Sequence, residues 1–211
     1  MIHPNSRVQY ISDQLGCGVF ATAFIPKGTI VYVKDELELS ISPDQFEQLD
    51  PILREKVEMY SYIENQGNRI VSWDHGKYVN HCCDCNTMST GYGFEIAIRD
   101  IQPGEEITDE YGLFNVPTNM TLQCAKPNCR LALRSDDVDF YFQEWDRKVR
   151  AALVLIPEVT QPLLPLVDSD THKRLLDFLA NNSDYESVRN LKMEQLNPPS
   201  KAKPAAALQH K

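Results

Sequence analysis

The chain lacks any long apolar run. Its longest uninterrupted one, Ala151 to Ile156, is far short of the ~20 residues that span a bilayer. No transmembrane helix is expected, and no membrane partner. The start, Met1-Ile2-His3-Pro4-Asn5, lacks a basic segment followed by an apolar one. No secretory signal is therefore expected, and the setting implied is intracellular, cytoplasmic or nuclear. Basic runs are missing too, and the formal charge is −9. Direct nucleic-acid binding through a broad basic face is disfavoured. An acidic surface attracts basic partners, lysine-rich segments among them, and it also serves plain solubility. No internal repeat is present.

What is present suits a soluble globular fold. The 211 residues allow one domain with a sizeable core, or one domain with a small helical appendage. The first third reads as short strands at Arg7–Ile11, Gly18–Ala21 and Thr29–Val33, the last two separated by the turn Pro26-Lys27-Gly28. Ser42-Pro43 starts a helix, with Ser42 as cap and Pro43 at the first position. Phe46, Leu49, Ile52, Leu53, Val57 and Tyr60 form its apolar stripe, broken at Asp50-Pro51. Strands return at Arg69–Ser72, Asn86–Met88 and Phe94–Ile98. No ten-residue helical pattern separates them, which argues against a parallel doubly wound sheet. The fold class expected is mostly β, in small mixed sheets, with inserted and C-terminal helices.

After Arg134 the periodicity becomes helical. Trp145, Val149, Ala152, Leu153 and Ile156 share a face before Pro157. Further helices are expected over Thr171–Leu179 and Ser183–Leu196, the latter opening on a Ser183/Glu186 capping box. Residues 197–211, rich in Pro and Lys, read as a disordered tail.

Three segments carry chemistry. Gly16-Cys17-Gly18 signals close backbone approach. Asn80-His81-Cys82-Cys83-Asp84-Cys85-Asn86 combines directional hydrogen-bonding groups with thiols. Gly104-Glu105-Glu106-Ile107 leads to Tyr111. Taken singly, each also reads as an ordinary turn or hairpin. Six cysteines are present, and five of them lie between 82 and 129. Without a signal for export, such clustering favours metal binding over disulfides.

In order and spacing the three segments resemble the signature of SET-domain protein-lysine methyltransferases: G-x-G, then N-H-x-C-x-P-N, then G-E-E-L-x-x-x-Y. The resemblance covers about 120 residues. It implies a SET fold, in which the second and third segments meet in a knot-like crossing. It implies S-adenosylmethionine as methyl donor, contacted by Gly16, Cys17, Gly18, Asn80, His81 and Tyr111. Tyr111 matches the catalytic tyrosine. Tyr78, in the position of the aromatic before Asn-His, is expected to line the same site. The acceptor implied is a lysine amine of a protein or peptide, histone tails being the family's usual target.

Free lysine has a pKa of about 10.4, so the enzyme must deliver a neutral amine. A desolvated channel and the sulfonium favour that, without a strong general base. Asp109 departs from the pattern, standing two before Tyr111 where an aromatic is common. Asp109 and Glu110 are open to two readings, attraction of the substrate lysine or exposed loop charges.

Cys124-Ala-Lys-Pro-Asn-Cys129 resembles a post-SET segment that shares zinc with the Asn-His cysteine, but Leu122 replaces its first cysteine. The expected ligands are Cys83, Cys85, Cys124 and Cys129, with Cys82 in reserve. Phe140, Tyr141 and Trp145 are expected to pack a helix rather than to close over the site. The division implied is a SET domain over 1–116 with a helical insert at about 42–62, a post-SET segment over 117–134, a helical extension over 135–196, and the tail. The competing readings are a SET-fold interaction module without catalysis and a zinc-ribbon nucleic-acid binder. Intact Asn80, His81 and Tyr111 argue against the first, and the acidic charge against the second.

Overall fold

Alternation in residues 7–11 and a glycine at position 16 give the chain its first hairpin. A computed structural model describes residues 1–122, 124, 126–127, 129–181 and 184–193. In it, β1 (Ser6–Ser12) and β2 (Gly16–Ala21) pair antiparallel, Ser6 opposite Ala21 and Tyr10 opposite Cys17. Gly16 enters β2 at φ +71°, a left-handed conformation that glycine adopts without steric cost. β3 (Ile30–Val33) is buried at every position, as its unbroken apolar sequence requires.

β4 (Leu39–Ile41) leads into α1 (Pro43–Glu47) and α2 (Pro51–Tyr60). Ser42 and Gln45 form a reciprocal capping box, and the Asp50 carboxylate accepts from Ile52 N–H to start the second helix. The helix starts fall where the sequence puts them, but the expected apolar stripe is not a buried one. Phe46 is buried, whereas α2 buries no residue and exposes Ile52 and Leu53. This helix lies at the edge of the molecule against β5 (Ser61–Ile63) and β6 (Arg69–Val71).

The remaining strands are β7 (Asn80–His81), β8 (Thr87–Ser89), β9 (Phe94–Ala97), β10 (Glu106–Asp109), β11 (Met120–Thr121) and β12 (Ala132–Leu133). They make small sheets ordered β1-β2-β10-β7, β3-β9-β8, β4-β6-β5 and β11-β12. Every pairing is antiparallel except that of β10 with β7, which sets Thr108 beside Asn80 and Asp109 beside His81. The mostly-β class expected from the sequence is the class observed. The strands expected at Arg69–Ser72 and Asn86–Met88 correspond to β6 and β8, whereas β4, β5, β7, β11 and β12 escaped the sequence reading because a period of two cannot be recognised over two or three residues.

α3 (Asp137–Leu153) buries Val138, Trp145, Val149, Ala152 and Leu153, and α4 (Ser169–Asn181) buries Thr171, Leu175 and Phe178. These side chains join Met88, Phe94 and Ile96 of the β8–β9 hairpin in the larger core. A smaller core packs Val19, Ile25, Val31, Ile101 and Ile107. The helix expected over Ser183–Leu196 does not form among the described residues, where Val188–Leu191 makes only a short 3₁₀ turn. Asp146 of α3 explains why. Its carboxylate accepts from Tyr185 Oη (2.7 Å), Ser187 Oγ (2.7 Å) and Val188 N (2.8 Å). In a helix the Val188 N–H would instead be spent on the carbonyl four residues back. Ser183, residues 194–196 and the tail at 197–211 lie outside the described residues. Among those described, no helix is long and apolar enough to cross a membrane.

Candidate active site

The four-stranded sheet brings the three sequence motifs to one place. β2 carries Gly16-Cys17-Gly18, β10 follows Gly104-Glu105 and leads to Tyr111, and β7 is Asn80-His81 itself. Side chains stitch the strands together. Asn80 Nδ2 donates to the Cys17 carbonyl (3.1 Å) and to Glu106 Oε1 (2.9 Å). Asn86, fully buried, donates to the Glu106 carbonyl (2.8 Å) and accepts from Thr108 N (2.9 Å). Buried amides bonded on both sides hold the crossing segments in register. Glu106 is a positioning residue that sequence reasoning missed; its place in the Gly-Glu-Glu motif was the available signal.

Gly18 leaves no room for a side chain. A Cβ there would meet Glu106 Oε1 at 2.5 Å, Ile11 Cδ1 at 2.7 Å and Asn80 Nδ2 at 3.1 Å. At Gly16, by contrast, no heavy atom lies within 4 Å of that position. A bare backbone edge beside an oriented Asn-His pair fits a small ligand that must approach main chain closely.

Tyr111 begins a 3₁₀ turn that Glu110 caps by accepting from Gly112 N (2.9 Å). Its hydroxyl donates to the Val79 carbonyl at 2.6 Å, so the oxygen lone pairs stay free to accept. Burial raises its pKa, so the hydroxyl keeps its proton. His81 Nδ1 lies 3.2 Å from Tyr111 N and 3.1 Å from the Asp109 carbonyl. Burial, with Arg130 nearby, lowers its pKa to about 4, leaving the ring neutral near pH 7.

Tyr111 borders a cavity of about 340 Å³, together with Tyr60, Tyr62, Val79, Glu95, Asp109 and Phe114. Tyr78 is placed differently from the expectation. Its neighbours Lys77 and Val79 line the cavity, while its own ring stands edge-on to Tyr60, centroids 5.5 Å apart, and packs on the smaller core.

Asp109 and Glu110 are not exposed loop charges; they are 0% and 1% accessible. Glu110 is bound to Arg130 at 2.5 Å. Arg130 in turn stacks on Tyr141 and Trp145, 5.0 and 5.5 Å from the ring centroids. Trp145 presses on the turn itself, since a Cβ on Gly112 would lie 2.8 Å from Trp145 Cη2. Tyr141 and Trp145 of α3 therefore brace the Tyr111 turn, whereas Phe140 is exposed and Phe142 lies under Arg189.

The thiols of Cys83, Cys124 and Cys129 lie within 4.8 Å of one another. Cys82 Sγ is 4.0 Å from Cys124 Sγ. Cys85 is not in this group. It is 4% accessible, sits in the larger core, and burial raises its thiol pKa well above the ordinary value. Cys82, half-buried, packs against the margin of the same core. Backbone N–H groups of Arg130 and Leu131 reach Cys83 and Cys129 sulfur at 3.4 and 3.3 Å, while burial pushes the Cys83 thiol up to about 11. A set of three sulfurs with a fourth beside it fits zinc.

Comparison with known proteins follows the same residues. Residues 16–112 match the SET domain model. The chain is 32% identical over 136 residues to a variant-silencing SET domain-containing protein of Plasmodium falciparum, covering 56% of this chain and 5% of that protein. It is 25% identical over 133 residues to histone-lysine N-methyltransferase Set2 of Drosophila melanogaster, covering 56% of this chain and 6% of that protein. It thus spans only a small part of either relative. The solved methyltransferase domain of human histone-lysine N-methyltransferase SETMAR is 18% identical, with a TM-score of 0.42 over 63% of this chain and 58% of that one. The motifs, their meeting on one sheet and the family match agree: residues 16–112 of this chain are a SET domain.

Proposed function

We propose that this protein transfers a methyl group from S-adenosylmethionine to the side-chain amine of a lysine in a protein or peptide. The observation that carries the reading is the fixed Tyr111 hydroxyl, bonded to Val79 at the wall of a cavity, one strand from Asn80 and His81. The donor's sulfonium makes its methyl group electrophilic and supplies the leaving group. The chain's own residues then have to bind, orient and exclude water.

In this reading Gly16, Cys17 and Gly18 offer main chain to the donor. Asn80 and His81 orient it, and Glu106 holds Asn80 in place. Tyr111 offers its oxygen lone pairs to the amine while its proton stays on Val79. Tyr60, Tyr62 and Phe114 wall the lysine chain from water. Cys83, Cys124, Cys129 and Cys82 would hold a structural zinc, tying residues 117–134 to the site in the manner of a post-SET segment. Residues 1–116 would be the SET domain, with the insert at 42–62 forming one side of the cavity and 135–196 a brace. The acidic charge suits a basic substrate segment such as a histone tail.

Titration calorimetry with S-adenosylmethionine tests the reading. Binding in the micromolar range should weaken at least about tenfold in Asn80→Ala, which removes two oriented hydrogen bonds. Tyr111→Phe should bind the donor yet transfer no methyl to a lysine peptide. Folded, zinc-loaded wild type that binds no donor would overturn the proposal in favour of an interaction module.

A further inference from the structure

The last described residues lie beside the Tyr111 cavity, and Asn115 makes the junction. Its Nδ2 donates to the Ile63 carbonyl (3.0 Å) and to the Leu191 carbonyl (2.8 Å), and its Oδ1 accepts from Met193 N (2.7 Å). Asn65 Nδ2 adds a bond to the Asn190 carbonyl (3.2 Å). Phe114 and Val116, on either side of Asn115, both line the cavity, as does Ile63. The chain is therefore pinned at the cavity's edge through Met193, and residues 194–211 follow from that point.

The sequence of that segment suits the space beside it. Residues 195–211 contain three lysines and no acidic residue, in a chain of net charge −9. Lys201 and Lys203 have Ser200, Ala202 and Pro204 as neighbours, small side chains that let a peptide lie close to a surface. The cavity's rim offers a matching ledge. Met59, Pro117 and Met120 are exposed there and apolar, and Glu58 is exposed and acidic. Lys201 stands eight residues after Met193. At ~3.3–3.6 Å per extended residue it reaches roughly 26–29 Å from that anchor, about the width of a small domain. Lysines on the folded elements lack this freedom. Lys77 lines the cavity, but its Nζ lies 3.5 Å from the Trp73 carbonyl and 5.6 Å from the Tyr78 ring centroid. Lys192 is paired with Asp139.

We propose that this protein methylates its own chain in cis at Lys201 and Lys203, the segment after Met193 running along the ledge of Met59, Pro117 and Met120 into the cavity. The proposal rests on the methyltransferase reading for the reaction, and adds to it a substrate and a modification site. The ammonium of Lys201 or Lys203 gives its proton to water. The neutral amine then forms an N–C bond to the donor's methyl group as the methyl–sulfur bond breaks, and the electron pair of that bond stays on sulfur. A short tether holds the amine at an effective concentration on the order of mM, which favours the tail over dilute free peptide.

The test is to incubate the full chain with S-adenosylmethionine and no other substrate, and to map added methyl groups by peptide mass spectrometry. Methyl groups should appear on Lys201 and Lys203. The rate per molecule should stay constant over about 100-fold dilution, because the tethered amine's concentration does not depend on the protein's. Replacing both residues by Lys201→Arg and Lys203→Arg should abolish the label, while donor affinity by calorimetry and methyl transfer to a free histone-tail peptide persist. Tyr111→Phe should bind the donor and leave its own lysines unmodified, which excludes a contaminating enzyme. Label confined to lysines of the folded elements would overturn the proposal, as would a rate per molecule that rises in proportion to protein concentration. An unlabelled chain that methylates the free peptide would overturn it too and leave the methyltransferase reading standing. A folded chain that binds no donor would bring down both.

Discussion

The sheets that carry the site and the helices behind them are built on opposite principles. In the sheets, strands as short as two residues are held by polar side chains, Asn86 between β8 and β10 and Asn80 between β7 and β2. Apolar burial there comes mostly from single isoleucines and valines. In the helices, α3 and α4 bury a periodic apolar stripe, and few polar side chains take part. The first arrangement specifies position, since a directional hydrogen bond fails over a fraction of an ångström. The second supplies stability, since area removed from water is indifferent to direction. The two meet at the Tyr111 turn, where Trp145 and Arg130 press helix against site.

The largest expected effect comes from the cysteines that join the two regions. Cys82→Ser, Cys83→Ser or Cys129→Ser should lower bound zinc from about one equivalent towards none. Cys85→Ser should leave the metal in place and destabilise the core instead. Metal analysis beside thermal melting separates the two outcomes, and an equal loss of zinc in Cys85→Ser would mean that the core cysteine is a ligand after all.

Next in size is Trp145→Ala. Removing a buried indole should cost about 3–5 kcal/mol in denaturant unfolding. It should also loosen the Tyr111 turn, so that donor affinity falls in whatever protein remains folded. Stability lost with no change in site properties would separate the helical region from the site more sharply than the packing implies.

The smallest effect lies at the start of α4. The Asp168 carboxylate accepts from Thr171 N at 2.9 Å and from Asp170 N at 3.1 Å. These bonds, the one from Thr171 first, lower its pKa in the folded state. Asp168→Ala should cost about 1 kcal/mol at neutral pH. The capping contribution is fully present above the unfolded value of about 3.9 and is lost as pH falls through the lower folded value. The gap between wild type and variant should therefore close in acid. A gap independent of pH would show that the charge plays no part in the cap.

Much of this was legible along the chain. The helix start at Ser42-Pro43, the face Trp145-Val149-Ala152 and the strands over 7–11 and 18–21 all follow from local periodicity and capping chemistry, which act over a few residues. The three motifs likewise announced a common site. The helix expected over Ser183–Leu196 failed because Asp146, some 40 residues earlier, competes for its donors. Cys85 failed as a ligand for a similar reason. Sequence counts cysteines, but residues 82–85 form a turn without a side-chain period, and which sulfur is buried depends on what the turn packs against.

By itself, then, the sequence determined the elements with a period, the cap at Ser42 and the motifs of a SET domain over residues 16–112. Those are properties of neighbours in the chain. Only the tertiary structure decided that Cys82 rather than Cys85 stands beside the thiol cluster, that Glu106 holds Asn80, and that Asp109 is buried next to Glu95. Each of these turns on burial and on partners far apart in sequence, and a charge or thiol carries no sign of either until the chain has folded around it.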